Sequence, residues 1–491
     1  PPAPSRCRTA RNPPSGWSRS APGGCEEYKM RRLIKDIFIF ATGNILSKII
    51  LLILMPLYTS VLTTAEYGIA EILNTLVELF IPIFTLCIAD AVFRYSINEE
   101  DVNKEDLFMM GLYTILFGVI ISFLLVIVLN FLKIKYVIIL WFIFVTYSIK
   151  QFLGCYLRGT GNSTSFAFSG VITTIMLVGF NIYFLTVLDK KLYGYLWSIA
   201  LSNVIGIFVM IYFINPIKIV KRNLFSPFSK KGKKIEKKML KYSLPIIPNS
   251  ISWWLNTVVN RYILLYICGS AATGLFSAIS KLAAVVNLLS AIFQQAWQYS
   301  SALEYEKKTR DEYYSQIFFI YFRFVIISCT IIIYTSQIFS KYILLGDFQE
   351  GIKYVPLVIF SSMLGCFSVF FGGIYTASKN NQMLMLSTII GTIINILFSF
   401  ILGFNFNILG VIIASNISYA VVVIIRILDT RKYVNIKINY YFFLFSIISL
   451  FVLSLYMTFT KKINIFSLLV TILIIFINIK EIIVVFIKKR K

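Results

Sequence analysis

The sequence predicts an all-α integral membrane protein, and three observations carry that reading. Of 491 residues, 58% are hydrophobic and only 14% charged, with a mean hydropathy of +0.79. Soluble domains are about a quarter charged, and their single cores stop growing near about 250–300 residues. Fourteen stretches reach the roughly 20 mainly apolar residues that cross a bilayer. Lys and Arg crowd into alternate connections between those stretches, which is the charge bias of membrane topology. Disorder is excluded, since it requires low hydrophobicity.

The elements follow in order. Residues 1–29 contain no Ile, Leu, Val, Phe or Met but hold six of the thirteen prolines. Pro, Ala, Arg and Gly dominate there, whereas Ile, Phe, Lys and Asn dominate from Met30 onward. This segment is read as a disordered, non-native extension with no function. Without it the formal charge of +25 falls only to +22. The expected spans are 36–62, 67–95, 107–131, 136–158, 164–187, 193–214, 242–268, 273–297, 315–336, 354–377, 383–404, 408–428, 440–460 and 463–487. The least apolar are 67–95 and 273–297. An N-terminus inside places Arg31, Arg32, Lys35, the run Lys218 to Lys241, Lys307, Lys308, Arg310, Arg426, Arg431, Lys432 and Lys488 to Lys491 in the cytoplasm. Both termini are then cytoplasmic. Most of the basic excess is therefore topology, and no nucleic acid is expected as a partner. Residues 215–241, with Lys230, Lys231, Lys233, Lys234, Lys237 and Lys238, read as a basic cytoplasmic hinge loop lying against anionic head groups.

An internal repeat crosses that loop. Lys35 and Lys241 open two copies 206 residues apart. Thr63-Thr64-Ala65-Glu66-Tyr67-Gly68 is echoed by Ser270-Ala271-Ala272-Thr273-Gly274, and Ala91-Val92-Phe93-Arg94-Tyr95-Ser96 by Ala296-Trp297-Gln298-Tyr299-Ser300. Asn181 before Leu192-Tyr193-Gly194 is matched by Asn395 before Ile408-Leu409-Gly410. Six spans per copy make the repeat parallel, about an axis along the membrane normal, as in alternating-access transporters. The expected organisation is 30–214 and 242–430 as six-helix lobes, 215–241 between them, and 431–491 as two additional spans with a basic tail.

Ile45 to Thr59 with Met55-Pro56-Leu57-Tyr58, running into Thr63 to Gly68, resembles the Wzx-type polysaccharide flippases. So does Leu240-Lys241-Tyr242-Ser243-Leu244-Pro245-Ile246-Ile247-Pro248, with Trp253-Trp254 and Asn260-Arg261-Tyr262-Ile263-Leu264. These flippases belong to the multidrug/oligosaccharidyl-lipid/polysaccharide exporter superfamily. The chain departs from its relatives in having Asn260 where an acid often precedes the arginine. The resemblance implies two lobes facing each other in a V about a central cavity. It also implies translocation of an undecaprenyl-diphosphate-linked oligosaccharide, an O-antigen or capsule repeat unit, across a bacterial plasma (inner) membrane. Membrane lipids, a coupling H⁺ or Na⁺, and polysaccharide polymerase machinery are the partners that follow.

Charges within spans are costly, by about 2.5–3.5 kcal/mol each on insertion scales, so they need a cavity or a partner. Lys48, Lys150, Arg261 and Lys281 are the candidate cavity cations for a diphosphate. Asn249, Asn256, Asn260, Asn287 and Gln294 form polar stripes on two spans, and amides supply both donors and acceptors for sugar hydroxyls. The competing role for those amides is interhelical hydrogen bonding. Glu71, Glu78 and Asp90 are the carboxylates available for ion coupling, because the chain has no histidine. That absence also removes imidazole metal sites and His-based catalysis, the cysteines show no metal spacing, and there is no P-loop. No cofactor is expected. The alternatives are a multidrug-type exporter, disfavoured by 440–487 as extra spans, and a peptidoglycan-precursor flippase. An enzyme such as a polysaccharide polymerase or ligase is disfavoured because the longest outer loop, near 337–353, is short and sparse.

Overall fold

The computed structural model describes residues 50, 52–98, 103–223, 229–378, 382–460 and 464–490. Residues 1–29 and Lys48 lie outside them. Fifteen α-helices and no strand occur among the described residues. They are α1 (Met55–Val61), α2 (Thr64–Thr85), α3 (Ile88–Asn98), α4 (Lys104–Phe131), α5 (Val137–Gly159), α6 (Ser163–Ile182) and α7 (Lys191–Ile214). Then come α8 (Pro216–Asn223), α9 (Lys230–Ser243), α10 (Ile246–Glu304), α11 (Arg310–Ile343), α12 (Val355–Ala377), α13 (Gln382–Thr430), α14 (Tyr440–Thr460) and α15 (Ile465–Arg490). Ten helical segments among the described residues are long and apolar enough to cross a membrane. The chain is a multi-pass helical membrane protein, and the expected fold class holds.

The number fourteen is not fixed by that measure, for local reasons. The first predicted span is described only from its end, as α1. Span 67–95 is interrupted: Leu86 and Cys87 adopt φ of 53° and 51°, a left-handed pair that ends α2 and starts α3 in a new direction. Two pairs of predicted spans merge into the long helices α10 and α13, of 59 and 49 residues. Both double back on themselves. Thr273 Oγ1 donates to the Arg261 carbonyl at 3.4 Å, although twelve residues of straight helix would separate them by about 18 Å. The reversal sits at Gly269, whose φ of 81° suits glycine alone. In α13 the reversal is at Asn407, and Ser418 Oγ reaches the Gly391 carbonyl at 2.7 Å.

Local sequence explains where several elements start. Thr63 and Glu66 form a reciprocal capping box at the start of α2, with bonds of 3.2 and 2.9 Å. Pro56 stands in the first turn of α1 and Pro356 in that of α12, where the missing N–H costs nothing. Helix α12 is apolar all round and packs against α10, α11, α13 and α14, so it is the most enclosed span. Its Gly373 lies under the Trp297 indole, whose Nε1 donates to the Phe370 carbonyl at 3.0 Å.

The segment 215–241, read from sequence as a loop, is largely the helices α8 and α9. Ile219, Ile235 and Met239 are buried in a cluster with Leu107, Phe108 and Val92, at the shared end of α3 and α4. Lys231 pairs with Asp106 at 3.2 Å, and Asn223 donates to Glu105 at 2.7 Å. The apolar residues of α9 recur every three or four positions among lysines, so one face packs while the other remains in solvent.

Candidate functional site

Helices α2 and α10 make the principal contact between the chain before α8 and the chain after α9. At one end of this contact the two repeat motifs meet. A Cβ on Gly68 would strike the Ser270 carbonyl oxygen and the Gly274 nitrogen. A Cβ on Gly274 would strike the Thr64 carbonyl oxygen and the Gly68 nitrogen. Residue 64 stands to 274 as 270 stands to 68, so the contact is self-complementary about a local two-fold axis. Only glycine permits backbones this close. Nearby, Thr59 Oγ1 donates to the Ile343 carbonyl at 2.8 Å and accepts from Leu345 N at 3.1 Å.

Further along the same contact lies a buried charge cluster. Glu71 of α2 is buried, with Lys281 Nζ at 2.5 Å and Arg261 Nη2 at 3.7 Å, both from α10. Tyr195 of α7 donates to Glu71 Oε1 at 3.4 Å, and Asn74 donates to Tyr195 at 3.3 Å. The Lys281 ammonium lies 5.1 Å from the centre of the Tyr67 ring. Two cations share this one carboxylate. The cluster joins the two parts of the chain: the carboxylate comes from one and both cations from the other.

Arg261 also faces a cavity of about 520 Å³ between the two arms of α10, α12 and α13. Asn260, Asn287 and Gln294 line it. Serines and threonines supply most of the remaining polar wall, among them Ser280, Ser290, Thr388 and Ser418. Asn260 is occupied as well, donating to Ser415 Oγ at 2.8 Å and accepting from Asn395 at 2.9 Å. It therefore ties α10 to α13, which is the role of interhelical amides.

The cavity contains a cation that sequence reasoning placed elsewhere. Arg426, read as a cytoplasmic flank charge, is buried in the wall. Its Nε donates to Ser387 Oγ at 3.0 Å and its Nη1 to the Ser368 carbonyl and hydroxyl at 2.7 and 2.8 Å. Its Nη2 donates to the Leu384 carbonyl at 3.3 Å and Thr388 Oγ1 at 2.9 Å. All five guanidinium donors are used, and none of these acceptors is a carboxylate. Position near the end of a span suggests a flank charge. The hydroxyls on α12 and the other arm of α13 that receive it are invisible in one dimension. Tyr195 was likewise missed, because nothing in its local sequence marks it as a neighbour of Glu71.

The other predicted residues separate. Glu78 and Asp90 line a second cavity of about 220 Å³ with Tyr147, Gln151 and Ser250, and Glu78 is still near enough to Arg261 and Lys281 to feel their charge. Lys150 donates to Asn203 Oδ1 at 2.9 Å between α5 and α7 and is not a lining residue of either cavity. Asn249 is exposed near the start of α10, also outside both linings. Lys48 and the side chain of Asn256 fall outside the described residues. Among the described residues no group of His, Cys, Asp and Glu has the arrangement of a metal site.

Comparison with known proteins agrees with this architecture. A family profile described as "Polysaccharide biosynthesis protein" matches residues 33–298. No curated protein matches the chain. Among solved structures, the fold is similar to that of the lipid II flippase MurJ in an inward closed conformation. The TM-score is 0.66 at 14% identity, covering 92% of this chain and 100% of that one. It is also similar to a multidrug resistance MATE family transporter in an inward-facing conformation, with a TM-score of 0.60 at 13% identity, covering 79% and 95%. An outward-facing MATE transporter gives 0.54 at 15% identity, covering 81% and 95%. With more than half of its length matched by the family profile, the chain belongs to the polysaccharide biosynthesis protein family.

Proposed function

We propose that this protein flips an undecaprenyl-diphosphate-linked oligosaccharide repeat unit from the cytoplasmic to the outer face of a bacterial plasma membrane, for cell-surface polysaccharide synthesis. The observation that carries the proposal is the junction of the charge cluster with the amide- and hydroxyl-lined cavity at Arg261. In this reading the end bearing α8 and α9 is cytoplasmic and the glycine contact closes the outer end. The diphosphate binds Arg261 and Lys281, the sugars lie along Asn287, Gln294 and the serines, and the prenyl chain stays in lipid. An incoming diphosphate competes with Glu71 for the same two cations. Its binding loosens the α2–α10 contact and favours rocking of the two halves to open the outer end. Glu71, once released, and Glu78 and Asp90 in their own cavity are the carboxylates through which H⁺ or Na⁺ couples to the cycle.

The test is a deletion strain lacking any second flippase of this type. The expected result is loss of surface polysaccharide with build-up of its lipid-linked unit on the cytoplasmic face. Normal polysaccharide would sink the proposal. Normal polysaccharide with arrested cell-wall synthesis would point instead to a peptidoglycan-precursor flippase. Susceptibility to small toxic compounds as the sole change would point to a multidrug-type exporter.

A further inference from the structure

The amphipathic pair α8 and α9 is fixed to the protein in a way that leaves a charged face without an internal role. The apolar residues of α9 (Ile235, Met239) are buried against α3 and α4, and Lys231 is paired with Asp106. The Lys238 ammonium lies 5.2 Å from the centre of the Tyr95 ring. Lys230, Lys233, Lys234, Lys237 and Lys241 are exposed, and among the described residues their ammonium groups make no ion pair or hydrogen bond. From 230 to 241 this stripe extends along about 16 Å of helix at 1.5 Å per residue. Its only near acid in sequence, Glu236, is half-buried.

Apolar and aromatic side chains are exposed on the connections that flank this helix pair in sequence. Tyr212 and Ile217, where α7 passes into α8, are highly exposed, and Tyr242 and Leu244 are exposed where α9 passes into α10. Exposed aromatic and aliphatic side chains at the end of a membrane span mark the head-group level. Because the apolar face of α9 is already used within the protein, the helix cannot bind by inserting into the acyl region. What it offers is a row of ammonium groups on a docked helix at head-group depth, which is complementary to anionic lipid.

We infer that the lysine face of α9 is a binding site for anionic phospholipid head groups, holding the connection between the two halves to the membrane surface. The site fixes the end of α9 that continues into α10, the helix that carries Arg261 and Lys281. The inference requires only that this end of the bundle meets an anionic leaflet. It does not depend on which cargo the protein carries.

The test uses the full chain, purified in detergent and titrated with phosphatidylglycerol or phosphatidylcholine, with retained lipids counted by native mass spectrometry. Wild type should retain phosphatidylglycerol preferentially, and raised salt should weaken the preference. Replacing Lys233, Lys234, Lys237 and Lys241 by Gln together should lower phosphatidylglycerol retention at least about tenfold, since each lysine contributes about fivefold. Phosphatidylcholine retention should be unchanged. The corresponding Lys→Arg quadruple variant should behave as wild type, which separates charge from helix integrity. Equal retention of the two lipids by wild type would overturn the inference. So would undiminished phosphatidylglycerol retention by the Gln variant, or loss in the Arg variant equal to that in the Gln variant.

Discussion

Replacing Glu71 by Gln removes the one carboxylate that two cations share, and its effect can be worked from the distances. At an effective dielectric near 20, unit charges 2.5 and 3.7 Å apart attract by about 6.6 and 4.5 kcal/mol. Desolvation offsets much of that gross attraction, and breaking a buried pair by removing one partner costs about 3–5 kcal/mol net. The variant also leaves Lys281 and Arg261 facing each other without an intervening anion. Because Glu71 is on α2 and both cations are on α10, the cost falls on the contact between the halves rather than within either. In the proposed orientation, Glu71→Gln should shift the population toward outer opening by a factor of about a hundred or more, since 1.4 kcal/mol is tenfold. The assay is maleimide labelling of Ser270→Cys in a chain whose native cysteines are replaced by serine. Ser270 is half-buried with its carbonyl against Gly68, so a thiol there should react faster when this contact parts. Labelling should accelerate strongly in Glu71→Gln. The double variant Glu71→Gln with Lys281→Gln, which removes one cation along with the shared carboxylate, should recover part of the slow labelling. Wild-type labelling rate in Glu71→Gln, with unchanged thermal stability, would refute the view that this cluster holds the halves together.

Further outcomes follow from the same geometry. Arg261→Ala and Lys281→Ala should each impair complementation of a deletion strain at normal protein level, and unchanged surface polysaccharide would remove both from the proposed binding role. Gly274→Ala places a Cβ against the Thr64 carbonyl, where backbone cannot yield, so overpacking of about 1–3 kcal/mol should speed Ser270→Cys labelling. Arg426→Lys replaces five donors by three and loses the paired bonds to Ser368. Thermal unfolding should register a loss of about 1–3 kcal/mol, and an unshifted midpoint would contradict the hydrogen bonding described.

Much of the fold was legible because membrane helices announce themselves by composition. Most stretches read as spans are helical where they are described, 67–95 being broken at Leu86 and Cys87, and the two reversals fall between predicted spans, at Gly269 and Asn407. The site was legible in part. Arg261 and Lys281 stood out as charges in apolar runs, and Glu71 as a carboxylate able to balance one. Asn287 and Gln294 share a cavity with Arg261. The sequence grouped Lys48, Lys150, Glu78 and Asp90 with them by residue type alone. The structure puts Lys150 beside Asn203 and sends Glu78 and Asp90 to a different cavity.

The sequence by itself determined that this is a helical membrane protein, roughly where its apolar helices lie, and which charges need an explanation. Those properties depend on transfer energies and helical periodicity, which act residue by residue along the chain. Only the tertiary structure decided which charges meet. Glu71 and Lys281 are 210 residues apart, and Gly68 meets Gly274 from a different part of the chain. It also turned a basic loop into a docked helix and a flank arginine into a cavity wall. Pairing across such distances is set by which helix faces pack together, and no local pattern of residues encodes that choice.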